Sequence, residues 1–323
     1  MSLSEFTLID RFFSACGDLR ADCLLGVGDD AALLQVPPDR ELVVTQDTLV
    51  EGVHFFAGCA PLALGHKTLA VNLSDLAAMG AEPAWVTLAI TLPVADPTWL
   101  AAFAAGFCAL ARESGVWLVG GDTTRGHLAL SVTALGLVPH GQALRRSGAR
   151  PGDLIYVSGT LGDAGLALLR LNQDREIGLP DDLRTRLERP TPRLALGQAL
   201  RGLASAAIDV SDGLAADLGH ILERSGVGAQ LRLSDLPRSP ALAAYLAQGG
   251  DPLLPLNAGD DYELCFTLPP DRRADLEALV PRLTCPVTRI GRVATQSGLR
   301  VLGPDGRTLS LARGGYDHFA AGS

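Results

Sequence analysis

The sequence predicts a mixed α/β protein (α/β and α+β in character) built as two domains, and three observations lead there. Segments of strand character alternate with segments of helix character along the chain. A length of 323 residues, 47% hydrophobic and 20% charged, is enough for two buried cores. The run Ser147-Gly148-Ala149-Arg150-Pro151-Gly152-Asp153 collects small, Pro and Gly residues immediately before a fresh apolar run, as a boundary does. The expected domains are therefore residues 1–148 and 149–323.

In the first domain, strands are expected over 41–45, 84–92, 116–119 and 128–138, where aliphatic and β-branched residues cluster. Between them, 62–79 and 98–113 are long, Ala- and Leu-rich stretches suited to helices. The second domain opens with a strand at 154–157, a turn spaced by Gly159, Gly162 and Gly165, and a helix running to 171. A polar stretch carrying Pro180, Pro190 and Pro192 follows, then a helix at 194–203 and a strand at 206–210. A helix is expected after Asp212, then strands at 229–233, 262–268 and 287–293, with a helix at 272–279. No repeat of solenoid period is visible.

Composition excludes several function classes. A net charge of −9 gives no basic face for a nucleic acid, whose binding rests on clustered Lys and Arg. The apolar stretches, such as 100–110, are too short to span a bilayer, which takes about 20 residues. The opening residues lack a basic segment followed by an apolar one, so the cytoplasm is the expected compartment. The six cysteines are scattered without a Cys-x-x-Cys pair, and reduced, core-packed thiols are the expectation.

The chemistry is carried by aspartates set beside glycine or at strand ends, where a backbone can turn closely around a ligand. They are Asp29 and Asp30 in Gly-Val-Gly-Asp-Asp, Asp47 in Thr-Gln-Asp-Thr, Asp122 in Gly-Gly-Asp-Thr-Thr-Arg-Gly, and Asp209 and Asp212 in Ile-Asp-Val-Ser-Asp-Gly-Leu. Asp75 differs, lying inside the apolar stretch Leu69 to Met79, where an unpartnered carboxylate costs several kcal/mol of desolvation. A single Gly-Asp is equally a simple turn. Converging carboxylates would instead repel one another unless a hard cation lay between them, and oxygen donors without Cys or clustered His favour magnesium, manganese or calcium. The stretch 26–31 fits a loose Gly-x-Gly-x-x-Ala dinucleotide fingerprint, but its adjacent carboxylates would repel a bare pyrophosphate. No Gly-x-x-x-x-Gly-Lys-Ser/Thr loop occurs.

At these residues the chain resembles the thiamine-monophosphate kinase family, within the superfamily that includes aminoimidazole ribonucleotide synthetase and selenophosphate synthetase. The likeness runs in order through Glu5-Phe6, Gly26 to Asp30, Asp47 to His54, Val71 to Gly80, Gly120 to Gly126, Arg146 to Ala149, Ile208 to Leu214, Asp261 to Phe266 and Gly315 to Phe319. The resemblance implies magnesium ligation by Asp30, Thr45, Gln46, Asp47, Asp75, Asp122 and Asp209, with Asp212 near a further ion. It implies ATP contacts from Gly121, Asp122, Arg146 and Ser211, and thiamine-phosphate contacts from His54, Asp260 and Tyr316. It further implies a homodimer in which strands of both N-terminal domains close a barrel between subunits.

Two departures stand out. Where the family often has Ser-Thr-Asp, this chain has Thr45-Gln46-Asp47, so a ligand role for Gln46 would rest on its backbone carbonyl. Where the family often has Gly-Gly-Glu-Asp-Tyr-Glu, this chain has Ala258 to Glu263, with Asp260 one methylene shorter than Glu. The implied reaction passes the γ-phosphoryl group of ATP to thiamine monophosphate. A phosphate monoester with a second pKa near 6 is already largely dianionic at neutral pH, so no general base is needed. The competing expectations are another ATP-using enzyme of the superfamily and a metal and nucleotide sensor without turnover.

Overall fold

The computed structural model describes residues 5–17, 19–174 and 178–309. The chain divides into two units: Met1–Leu76 with Ala81–Gly141, and Ala77–Gly80 with Gln142–Ser323.

The first unit contains α1 (Glu5–Phe12), β1 (Cys23–Leu25), β2 (Leu33–Leu34), β3 (Arg40–Val50), α2 (Pro61–Ala78), β4 (Glu82–Leu92), α3 (Pro97–Glu113), β5 (Trp117–Arg125) and β6 (Ala129–Pro139). Its four-stranded sheet runs in the order β3-β6-β4-β5, antiparallel except for the β4/β5 pair, and β1 and β2 form a short ribbon. Asp96 starts α3 by accepting the Thr98 N–H at 2.9 Å, with Pro97 in the first turn where no donor is needed. Leu69, Leu73 and Leu76 of α2 and Leu100, Phe103 and Phe107 of α3 are buried, as are Trp85, Ile90 and Leu130 of the sheet. Gly65 and Gly106 let α2 and α3 meet backbone to backbone, since a Cβ on either would strike a carbonyl of the other helix. At the sheet edge, β3 turns Leu42 and Val44 outward.

The second unit contains β7 (Leu154–Ser158), α4 (Asp163–Gln173), α5 (Asp181–Glu188), α6 (Leu194–Ala199), β8 (Ala206–Val210), α7 (Leu214–Ser225), β9 (Gly228–Arg232), α8 (Pro240–Ala247), α9 (Leu254–Asn257), β10 (Glu263–Leu268), α10 (Arg273–Leu279), β11 (Val287–Ala294) and β12 (Gly298–Leu302). The sheet order is β12-β9-β11-β7-β10-β8, with only the β12/β9 pair parallel. Strand alternation divides the core. Ile155, Val157, Ile208, Val210 and Cys265 join Leu214, Leu218 and Ile221 of α7 in one cluster. Leu154, Tyr156, Ala207, Leu264 and Phe266 join Leu196, Leu200 and Leu276 in the other.

Several expectations change. The strand expected at 116–119 runs on to Arg125, so Asp122 lies within a strand and not in a terminal turn. The strand expected at 41–45 likewise continues to Val50 and carries Asp47 inside it. The helix expected over 194–203 ends at Ala199, and the polar stretch before it contains α5. Cys16 and Cys108 form a disulfide, which corrects the expectation of reduced thiols for this pair; a separation of 92 residues leaves no local signal for it. Cys265 and Cys285 are buried free thiols.

Candidate active site

In the first unit, β3 meets a polar stripe on α2. The Thr45 hydroxyl donates to Asp75 Oδ2 at 2.5 Å, and the Asp47 N–H donates to Asn72 Oδ1 at 3.0 Å. Thr45 and Asp47 are two apart on a strand and so share a face, while Thr68, Asn72 and Asp75 recur at helical spacing. Asn72 is held in turn by its own donation to the Thr68 carbonyl at 3.2 Å. The apolar helix thus accommodates Asp75 by bonding it to the strand beside it. On the other face of β3, Gln46 Oε1 accepts the Thr133 hydroxyl at 2.9 Å, so its side chain is engaged away from Asp75.

Other expected residues of this unit stand apart from that pair. Strand register places Asp122 level with Ala89, Ser131 and Thr48, and Gly121 level with Leu88, Val132 and Asp47. Three inter-strand steps, about 14 Å in all, therefore separate β5 from β3. The Asp30 N–H is capped by Asp29 Oδ1 at 2.8 Å in an exposed loop. His54 Nδ1 accepts the Val50 N–H at 3.0 Å, which fastens the turn that ends β3.

In the second unit, Asp209 is the penultimate residue of β8, which leads through Ser211 and Asp212 into α7. The carboxylate of Asp217, in the first turn of α7, accepts the N–H groups of Ser211 and Asp212 at 3.0 and 3.1 Å. Its pKa is pushed up to about 7, first by burial and then by the Asp212 charge, against the pull of those amides and Arg146. Sequence reasoning passed over Asp217; its signal was an acidic residue in the first turn after Asp212-Gly213, where it can cap loop amides. Arg146 is exposed, and its carbonyl accepts the Ser225 hydroxyl at 3.4 Å.

The stretch 259–263 runs beside the end of β8. Asp260 and Tyr262 donate their N–H groups to the Ser211 and Val210 carbonyls, each at 2.8 Å, and the Tyr262 hydroxyl donates to Asp260 Oδ1 at 3.0 Å. Asp261 and Glu263 are wholly buried. Glu263 accepts from Arg193 Nε at 2.6 Å and from the Ser158 hydroxyl at 2.5 Å, and pairs with Arg186 Nη1 at 3.0 Å. Burial drives the Asp261 carboxyl well above its usual range, opposed by Arg186 and the Gly162 N–H. Gly159 is needed because a Cβ there would collide with the Glu263 carboxylate. The glycine-spaced turn therefore does not cradle a phosphate: the N–H groups of Gly159, Leu161 and Gly162 go to Pro286 O, Pro237 O and Asp261 Oδ2. Tyr316 lies outside the described residues.

Among the described residues, no three His, Cys, Asp or Glu side chains gather as a metal cluster. The donors at the junction of β3 and α2 are hydroxyl and carboxylate oxygens. They fit magnesium, which is commonly held by one or two carboxylates and completed by substrate phosphates and water. No helix among the described residues is long and apolar enough to cross a membrane.

Residues 28–138 match the N-terminal domain, and residues 150–303 the C-terminal domain, of AIR synthase related proteins. The chain is 46% identical over 324 residues to a thiamine-monophosphate kinase of Salmonella typhimurium, covering 99% of each. A thiamine-monophosphate kinase structure from Stenotrophomonas maltophilia K279a shares 54% identity at a TM-score of 0.87, covering 96% of this chain and 99% of that one. A structure of AaThiL complexed with AMPPCP and TMP shares 33% identity at a TM-score of 0.78, covering 99% of both chains.

Proposed function

The chain belongs to the AIR synthase related family, and within it to the thiamine-monophosphate kinases, and from that premise we propose that it phosphorylates thiamine monophosphate to thiamine diphosphate with ATP. The observation that carries this is the likeness, over 99% of both chains, to AaThiL complexed with AMPPCP and TMP: an ATP analogue together with the acceptor such a kinase requires.

The acceptor phosphate reaches the enzyme as a ready nucleophile, so the chain has to position two anions and offset their repulsion. Thr45, Asp47 and Asp75 would hold magnesium on the first unit, with Asp30 and Asp122 as further ligands and the Gln46 carbonyl beside them. Asp209 and Asp212 would do so on the second. When bound, the metal neutralises phosphate charge as it develops. Gly121, Arg146 and Ser211 contact ATP, Arg146 as an exposed guanidinium fork suited to phosphate oxygens. His54, Asp260 and Tyr316 contact thiamine monophosphate.

Residues 1–148 form the ATP- and magnesium-binding and dimerisation domain, and 149–323 complete the active site with Asp209, Asp212 and the remaining nucleotide and acceptor contacts. The exposed apolar side chains of the edge strand β3 support a homodimer whose two N-terminal sheets close a barrel. The biosynthetic reaction supports a cytoplasmic location.

The test is incubation of purified protein with magnesium and ATP, and separately with thiamine monophosphate or thiamine, followed by chromatography. Thiamine diphosphate from the monophosphate alone is the expected result. ATP binding without product, or formation of thiamine monophosphate from thiamine at a similar rate, overturns the reading.

A further inference from the structure

Among the described residues, Asp260 (φ 64°) and Tyr262 (φ 49°) are the non-glycine residues held at positive φ. Such a conformation persists only where the surroundings over-determine it. Here they do. The N–H groups of both residues are taken by the end of β8, and between them Asp261 turns inward so that its Oδ2 accepts the Gly162 N–H at 2.8 Å.

One guanidinium closes the arrangement. Arg186 Nη2 donates to the Asp261 carbonyl at 3.3 Å and to the Thr160 carbonyl at 3.0 Å, while Nη1 sits 3.0 Å from Glu263 Oε1. It thereby ties the loop after β7, the peptide between the two left-handed residues and the first residue of β10. Arg193 grips the same Glu263 through two nitrogens, yet has no hydrogen bond to the loop backbone. The two arginines thus share the work of neutralising Glu263, and Arg186 alone also holds the peptide. It lies on α5, in a stretch that carries none of the family motifs.

We propose that Arg186 is a positioning residue for the acceptor: by holding the Asp261 carbonyl it keeps Asp260 and Tyr262 left-handed and presents the Asp260 carboxylate to thiamine monophosphate. The role rests on the reading above, in which Asp260 contacts that acceptor. A lysine at 186 keeps the charge beside Asp261 and Glu263 but cannot reach two carbonyls and a carboxylate at once.

Steady-state kinetics on full-length Arg186→Lys, Arg193→Lys, Asp260→Ala and the Arg186→Lys/Asp260→Ala double variant test it. Arg186→Lys is expected to raise KM for thiamine monophosphate about tenfold, with kcat and KM for ATP within about twofold of wild type. Arg193→Lys is expected to lower the melting temperature without moving that KM. In the Asp260→Ala background, Arg186→Lys is expected to add nothing, because two changes on one path are not additive. Asp260→Ala with an unaltered acceptor KM removes the reading of Asp260 and the proposal with it. A raised KM in Asp260→Ala alongside an unaltered KM in Arg186→Lys, or effects that multiply in the double variant, overturns the proposal and leaves that reading standing. Arg186→Gln with Asp261→Asn, which leaves no uncompensated charge, serves if the lysine variant does not fold. Failure of both to melt cooperatively assigns Arg186 to the fold alone and overturns the proposal.

Discussion

The Thr45 hydroxyl donates to an Asp75 carboxyl oxygen at 2.5 Å and so joins the edge strand β3 to the last turn of the apolar helix α2. A partly buried hydrogen bond between a hydroxyl and a carboxyl oxygen adds net stability. Thr45→Val is expected to lower the unfolding free energy by about 1–2 kcal/mol, read from urea denaturation. An unchanged midpoint would show that the bond contributes nothing net.

Asp47→Asn and Asp75→Asn should each lower turnover by about 100-fold or more while far-UV circular dichroism stays at wild type, since each removes a charge at nearly constant volume. Wild-type turnover of either variant at saturating magnesium would remove that residue from the set of metal ligands.

Manganese is expected to replace magnesium with a rate within about tenfold, and calcium to support much less, because its longer and looser coordination misplaces the transferring group. Equal rates with calcium and magnesium at saturation would separate catalysis from metal geometry.

Asp217 predicts a pH dependence. Its pKa is raised to about 7 in the folded protein against about 4 in the unfolded chain, so between those values the folded state binds more protons. Stability of the metal-free protein should therefore fall as pH rises from about 4 to about 7 and level off above. Asp217→Asn keeps an oxygen for the Ser211 and Asp212 amides and carries no charge, so it should lack this component and gain on wild type across the window. Parallel stability curves for the two proteins, measured in urea at several pH values, would refute the assignment.

How much of this was legible depended on the range of the signal. The strand at 84–92 and the helix at 98–113 match β4 and α3 nearly end to end, because long apolar runs and an Asp-Pro start are local. Gly120-Gly121 suggested a turn but sits inside β5, where pairing with β4 overrides the propensity of glycine to break a strand. The polar stretch before Pro190 hid α5, whose buried face is only Leu183 and Leu187. Aspartates were found by their glycine neighbours; Arg186 and Asp217 matter through partners 75 residues away and on a neighbouring loop, which no short motif records.

The Cys16–Cys108 disulfide closes a long stretch of chain, so reduction should lower stability by about 2–4 kcal/mol. Thermal melts with and without dithiothreitol check this. A Cys16→Ala/Cys108→Ala variant should melt alike in both, and a wild type indifferent to reductant would show the pair to be two packed thiols.

The strand β3 has a partner on one side only among the described residues, and it turns Leu42 and Val44 to the outside. An edge of this kind invites a second chain, and a partner that binds the folded form but not the unfolded form stabilises by mass action. In the proposed homodimer, copy number becomes a variable of folding: a cell making little of this protein would hold a smaller folded fraction than one making much. Thermal scans at a single protein concentration would miss it, whereas a dilution series would display it as a falling melting temperature.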